Sequence, residues 1–242
     1  MDLGPICTVQ YSKIRFSPPQ EGYTSRDASG TKERILDAAQ AQVMARGFAA
    51  TSVDDIQQAA GISRGTFFYH YPSKDALARA LIERYAKQDH DLTESLMARA
   101  EKLATDPLQQ ALVFMGLFEE LFREVGPDRA GCLFASYSYE AGLFDDETHQ
   151  LIAGSLEHFR KILGDKLEQA LERHTPRVPN VDPYDLAVLA SAAFQGAYVM
   201  WRVLGDSERI AMPIQHFRTY VELIFGVVGD QATAKAAARA GA

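Results

Sequence analysis

Apolar residues recur at three- and four-residue spacing along most of the chain, and the alternation typical of strands is nearly absent. This pattern predicts an all-α protein. The first helix is expected from about Thr31 to a glycine stop at Gly47, with one apolar stripe formed by Ile35, Leu36, Ala39 and Val43. Residues 1–30 lack the helical period and contain many Gly, Pro and Ser residues, so we predict a flexible arm there.

Further helix starts are marked by capping residues. Thr51 and Ser52 precede a short second helix, Ser63 caps a short third helix, and Pro72-Ser73 opens a longer fourth helix. An Asp-Pro pair, with the acid as cap and Pro at the first helical position, recurs twice later. The later helices are therefore predicted to start near 107 and 183, and others to cover about 130–141, 146–174 and 210–228.

Short helices followed by long ones predict a small N-terminal domain on a larger helical body. We place the first domain at 31–91, the body at 92–228 and a C-terminal tail at 229–242. Residues 31–91 hold equal numbers of basic and acidic residues, so the body carries the excess acid behind the net charge of −7. The acidity therefore does not exclude a nucleic-acid-binding first domain.

Composition excludes several classes of protein. With 47% hydrophobic and 24% charged residues, the chain is neither collagen-like nor wholly disordered. Two cysteines, Cys7 and Cys132, cannot form a disulfide framework and favour a reducing compartment. No long uninterrupted apolar run or secretory leader is visible, so we expect a cytoplasmic protein that is not associated with a membrane.

The second and third helices have the layout of a helix-turn-helix motif, at about 54–73. Two short helices are separated by a tight turn at Gly61, preceded by small alanines. The third helix can then enter a DNA major groove with its N-terminal residues leading. We expect these to approach base edges, and polar residues further along to contact phosphates. The first set is Ser63, Arg64, Gly65 and Thr66, and the second is Tyr69, His70 and Lys74.

Residues 31–91 resemble the DNA-binding domain of the TetR family of bacterial transcriptional regulators. The resemblance rests on the segments Thr51-Ser52-Val53, Ala60-Gly61-Ile62-Ser63, Phe67-Phe68-Tyr69-His70-Tyr71 and Lys74, at matching spacing. It implies that Thr51 and Ser52 also belong to the DNA-binding surface, and that the protein is associated with the bacterial nucleoid. One position departs from the family pattern, because Phe68 stands where most members have a phosphate-contacting Tyr. Either Tyr69 compensates or one phosphate contact is lost.

The same resemblance implies that the body forms a homodimer and holds a small-molecule effector pocket. Aromatic residues with polar groups favour pocket positions, whereas small and apolar faces favour a dimer interface, and internal packing explains each interface residue equally well. Our pocket candidates are Phe118, Cys132, Tyr137, Phe194, Tyr198 and Trp201. Our interface candidates are Ala193, Gly196, Ala197, Phe217, Val221 and Ile224.

The sequence thus predicts a ligand-responsive regulator, most simply a dimeric repressor that an effector of unknown identity releases from a palindromic DNA operator. The long fourth helix is the expected lever between the two domains. The alternative is a helical binding or adaptor protein whose first domain no longer binds DNA. An enzyme is disfavoured, because Gly61–Gly65 fits a G-x-S-x-G motif without the strand that motif requires. No cofactor or metal site is expected, and a reactive Cys132 is a minority hypothesis.

Overall fold

The computed structural model describes residues 28–124, 132–204 and 211–227. In these ranges the chain forms nine α-helices and one 3₁₀ turn at Ala141–Leu143, without strands. The all-α prediction is therefore confirmed. The helices are α1 (Ala28–Arg46), α2 (Val53–Ala60), α3 (Arg64–His70), α4 (Lys74–Leu103), α5 (Pro107–Glu124), α6 (Leu133–Tyr139), α7 (Asp146–Arg173), α8 (Pro183–Leu204) and α9 (Met212–Phe225).

The N-terminal arm needs one correction. The first helix already begins at Ala28, so residues 28–30 are helical rather than part of a flexible arm. Residues 1–27 and the predicted tail at 229–242 lie outside the described residues. The predicted boundary between 91 and 92 falls inside α4, which runs through it without interruption.

Serine caps fix the starts of α2, α3 and α4. Ser52, Ser63 and Ser73 each accept a hydrogen bond from the backbone N–H three residues ahead, which satisfies one otherwise unpaired donor of the first turn. Gly61 ends α2 in the left-handed conformation, with φ 64°. These local signals explain why the sequence predicted the motif's element boundaries correctly.

The N-terminal domain, α1–α3 with the start of α4, packs around one apolar core. Ile35, Phe67 and Leu81 are fully buried in it. The helix α6, which follows in the body, packs into the same core through Leu133 and Tyr137. The core of the N-terminal domain is therefore completed by a segment from the body.

The body forms a second core from α5, α7, α8, α9 and the end of α4. Phe114, Leu163 and Ile214 are completely buried there. The helix α4 serves both cores, because its first half supplies Leu77 and Leu81 to one and its second half supplies Met97 to the other. The predicted link between the domains is thus a single continuous helix of 30 residues.

The helix α8 qualifies our sequence-based exclusion of a membrane span. By length and composition alone, Pro183–Leu204 is long and apolar enough to cross a membrane. In the fold, however, Leu186, Ala187 and Ala190 are buried against the body core. A core helix of a globular domain meets the same criterion, so this single helix is weak evidence for a membrane span.

The turn after α1 is held by a side chain of the body. Glu140, which follows α6, accepts hydrogen bonds from the backbone N–H groups of Phe48 (2.9 Å) and Ala49 (2.6 Å). Gly47 precedes these donors with φ 88°, a conformation that favours glycine. A Cβ atom at this position would collide with the Glu140 carboxylate.

We therefore expect Gly47→Ala to destabilise the protein by at least about 1 kcal/mol, through backbone strain and loss of the Glu140 contact. Thermal unfolding measures the change. Gly154→Ala is the matched control, because Gly154 lies inside α7 with open space around its Cβ position. That substitution should stabilise by about 0.5–1 kcal/mol. Equal unfolding temperatures for Gly47→Ala and the wild type would contradict the expectation.

Candidate DNA-binding and effector sites

The N-terminal end of α3 is presented to solvent. Ser63 accepts from Thr66 N–H (3.1 Å), and the two hydroxyl oxygens lie 2.8 Å apart. Arg64 is exposed, and its guanidinium lies 3.4 Å from the Asp54 carboxylate and 5.3 Å from the centre of the Phe68 ring. An ion pair this exposed contributes little to stability. Arg64 is therefore held near the helix but remains available to a DNA base.

The end of α3 carries the predicted phosphate contacts. Tyr69 is 80% exposed, and its ring packs edge-on against His70 at 5.1 Å. Phe68 is also on the surface, packing edge-on against the buried Phe67. Tyr69 follows Phe68 directly in the sequence and is exposed, so compensation by its hydroxyl remains a prediction.

Two predicted DNA contacts have structural roles as well. The Ser52 hydroxyl caps α2 and donates to Asp55 (2.6 Å). The Lys74 ammonium donates to the Phe48 carbonyl (2.7 Å) and lies 4.1 Å from the centre of the Phe48 ring. Burial lowers the pKa of Lys74. An ammonium has three donors, so two remain for a phosphate.

Thr51 departs from the prediction. Its side chain is completely buried, and its hydroxyl donates to the Gly47 carbonyl at 2.8 Å. A side chain without accessible surface cannot contact DNA in this structure. Thr51 therefore stabilises the α1–α2 turn and is removed from the candidate DNA surface.

The predicted effector pocket separates into two groups. Phe118 and Phe194 lie in the body core, with ring centres 5.3 Å apart. Tyr198 packs edge-on against Phe122 at 5.2 Å and contacts both the body core and the core of the N-terminal domain. Trp201, one turn further along α8, is half-buried and packs against the body core. Phe118 and Phe194 are buried, whereas Tyr198 and Trp201 are partly exposed and form what we call the aromatic surface, along the boundary between the two cores.

Tyr137 does not belong to this surface, contrary to the prediction. It is fully buried among residues of the N-terminal domain, where its hydroxyl donates to the Ala78 carbonyl (3.2 Å) and its ring stacks on Phe144 at 4.1 Å. Its pKa is raised, mainly by burial. Tyr137 therefore fastens α6 to α4 and has no surface left for an effector.

Cys132 lies at the boundary, before α6. Its sulfur accepts from the Gln195 side-chain N–H at 3.3 Å, and the residue is buried. Burial raises the pKa of the thiol, which lowers the fraction of reactive thiolate. Burial and the raised pKa therefore do not favour the hypothesis of a reactive sensor.

The predicted dimer residues need a similar correction. Ala197, Phe217, Val221 and Ile224 are buried inside the core of the single chain, so a second copy cannot contact them. Gly196 lies on the outer surface of α8, with open space around its Cβ position, and Ala193 is half-buried. Helical period alone could not separate the inward face of these apolar helices from the outward one, because both faces are apolar.

Sequence reasoning missed a contact that joins the body to the α1–α2 turn. Arg202 of α8 donates to the carbonyls of Met44 (2.9 Å) and Ala45 (2.7 Å), at the C-terminal end of α1. On the far side of the turn, Glu140 holds the Phe48 and Ala49 N–H groups. We call Glu140 and Arg202 together the turn clamp. Each partner is a backbone group more than 90 residues away in sequence, so no local signal indicates it.

Comparison with known proteins defines the family. A family model described as bacterial regulatory proteins of the tetR family matches residues 35–81. A second, described as a tetracyclin repressor-like C-terminal domain, matches residues 120–217. The two models together match more than half of the chain, the first in the N-terminal domain and the second in the body.

Related proteins and a solved structure support the same family. The repressor DhaR of Mycobacterium sp. strain GP1 is 23% identical over 191 residues, which are 78% of this chain and 89% of DhaR. The regulator MftR of Mycobacterium tuberculosis is 35% identical over 102 residues, 42% of this chain and about half the length of MftR. A TetR-family regulator from Agrobacterium tumefaciens shares the fold, with a TM-score of 0.68 at 22% identity over 82% of this chain and 100% of that one.

The chain belongs to the TetR family and is a DNA-binding transcriptional regulator. The relatives named above are regulators of transcription. They do not favour the alternative of an adaptor whose N-terminal domain no longer binds DNA.

For the recognition helix, we expect Arg64→Ala to weaken binding to the specific DNA site by about 1–3 kcal/mol and to relax base preference locally, if Arg64 contacts a guanine. Binding titrations on specific and random duplexes at one salt concentration measure this. Stability should hardly change, since the Arg64–Asp54 pair is exposed. Equal losses on the two duplexes would show that Arg64 contacts only phosphate.

Proposed function

We propose that this regulator is a homodimeric repressor, released from a palindromic operator when a small molecule binds the body. The proposal is carried by the turn clamp, through which body side chains hold the DNA-binding domain in one orientation. Two N-terminal domains would place their α3 helices in successive major grooves, about 34–36 Å apart or at a wider spacing. The protein would act on bacterial DNA in the cytoplasm.

An apolar face on α8 and α9 supports the homodimer. Leu189, Val199 and Val203 on α8 and Tyr220 and Leu223 on α9 are exposed, although large apolar side chains are normally covered. The two helices pack against each other. Two copies could join these faces as a four-helix bundle, with the open surface at Gly196 allowing close approach.

Effector binding and DNA binding can be coupled along one face of α8. Gln195 contacts Cys132, Tyr198 contacts both cores, and Arg202 holds the end of α1. These residues are three and four positions apart, so they lie on one side of the helix. A ligand that displaces Tyr198 would therefore shift Arg202. A tenfold to hundredfold loss of operator affinity needs about 1.4–2.8 kcal/mol of coupling.

Selection of genomic fragments at two salt concentrations tests the proposal. We expect enrichment of one palindrome, with an affinity that falls steeply as salt rises. Val203→Glu should produce monomers, because it buries a charge in the proposed interface. The monomeric variant should bind the palindrome no more tightly than a single half-site. Sedimentation measures the oligomeric state.

Leu103→Glu is the matched control, because Leu103 is an exposed leucine at the end of α4, far along the chain from α8 and α9. It should remain dimeric. Weak binding without sequence preference by the wild type would instead support the adaptor alternative. A dimeric Val203→Glu would contradict the proposed interface.

For the turn clamp, we expect Arg202→Met to reduce affinity for the palindrome by up to about tenfold, or about 1.4 kcal/mol, and to leave affinity for one half-site unchanged. The reason is that two loosely held DNA-binding domains match both grooves less often. Arg173→Met, at the exposed end of α7, is the control. Wild-type affinity for the palindrome in Arg202→Met would show that the clamp does not orient the domain.

A further inference from the structure

One carboxylate at the boundary between the two cores has no partner in the part of the chain that the structure describes. Asp89 is on α4, one turn after Tyr85, and is half-buried. Among the described residues it has no hydrogen bond and no ion pair, and the titratable groups near enough to sense its charge are Tyr85, Cys132 and Tyr198. None of these three is a cation. Burial raises the pKa of Asp89 to about 6.

Such a carboxylate makes the ligand-free protein less stable. A folded-state pKa above the ordinary value means that Asp89 favours folding only while it is protonated. That contribution is complete below about pH 3.8 and is lost as the pH rises through about 6. Near neutral pH the ionised group is therefore unfavourable, and no contact in the described residues offsets it. Unfavourable ionisable groups of this kind concentrate at functional sites.

A second acceptor faces the same region. Gln195 uses its side-chain N–H to donate to the Cys132 sulfur, which leaves its carbonyl oxygen Oε1 buried without a donor. A buried acceptor without a donor is costly. The Asp89 carboxylate on α4 and the Gln195 carbonyl oxygen on α8 thus both lie near Cys132. Among the described residues, neither of them accepts a hydrogen bond.

Aromatic rings surround these acceptors. Tyr85 packs edge-on against Phe134 at 4.8 Å, and Tyr198 packs edge-on against Phe122 at 5.2 Å. Both tyrosines are only half-buried, so molecules from solvent can reach this part of the boundary. Aromatic faces attract cations and pack against apolar groups. The surroundings therefore combine negative charge, free acceptors and apolar surface.

We propose that Asp89, Gln195, Tyr85 and Tyr198 bind the ammonium group of an organic amine whose apolar part packs on the aromatic surface. This rests on the effector site of the proposed function and names the ligand class. The carboxylate supplies a charge-assisted hydrogen bond, the amide oxygen accepts a second N–H, and the tyrosine rings contact the cation. A carboxylate ligand would be repelled by Asp89, and a neutral ligand would leave its charge unpaired.

Three probes of one skeleton test the proposal on the full-length protein: phenylbutylamine, phenylbutanol and phenylbutyrate. The chain has one tryptophan, Trp201, which lies one turn after Tyr198 and reports binding by its fluorescence. We expect the amine to bind at least about tenfold more tightly than the alcohol, and the butyrate most weakly. Failure of the amine to bind, or binding of the butyrate as tightly as the amine, would overturn the proposal.

The variant Asp89→Asn tests whether Asp89 causes the preference for the amine. It should abolish the preference for the amine and leave alcohol binding unchanged, while raising the unfolding temperature near pH 8 more than near pH 4. Asp91→Asn is the matched control, since Asp91 is exposed on the same helix and paired with Lys87 at 2.7 Å. It should keep the amine preference. An amine preference retained in Asp89→Asn would overturn the assignment.

Operator binding separates this proposal from the proposed function. Asp89 lies outside the DNA-binding surface, so Asp89→Asn should select the same palindrome as the wild type. If the wild type selects a palindrome but does not bind the amine more tightly than the alcohol, only the proposed ligand class is wrong. If no palindrome is selected while the amine binds through Asp89, the proposed function is wrong and the binding site stands.

Discussion

The arrangement of this molecule depends on the burial of one helix in two cores. The helix α4 is about 45 Å long. Its first half completes the core of the DNA-binding domain, and its second half completes the core of the body. A continuous helix is stiff, so the DNA-binding domain cannot reorient without disturbing packing at both ends. This constraint makes the boundary between the cores the place where a ligand can influence DNA binding.

Contacts beside α4 turn that constraint into a defined orientation. The turn clamp holds backbone groups on both sides of the α1–α2 turn, and Tyr137 fastens α6 to α4. Because the clamp acts on backbone atoms, it fixes the position of the whole turn rather than of one side chain. The DNA-binding domain is therefore positioned by charged groups from α6 and α8 as well as by the linking helix.

Two charged side chains, Lys166 in the body and Asp89 at the boundary, differ in their pairing. Lys166, the buried cation of the body, is satisfied by Glu101 and Gln110. Asp89 and the Gln195 oxygen have no such partners. Buried polar groups are normally paired within a fold, since an unpaired one costs free energy. The Asp89 carboxylate and the Gln195 amide oxygen, which lie beside aromatic rings, are the acceptors that the proposed amine would use.

The sequence by itself determined the all-helical fold, the starts of α2, α3 and α4 and the recognition helix. These follow from local physics: serine caps, a glycine in the left-handed turn and helical spacing. The tertiary structure decided which of several similar residues do what. It buried Thr51 and Tyr137, turned Val203 outward and brought Arg202 to the end of α1. It also left Asp89 without a partner among residues 28–124, 132–204 and 211–227. Burial and long-range pairing depend on how helices pack, and packing joins residues that no local pattern connects.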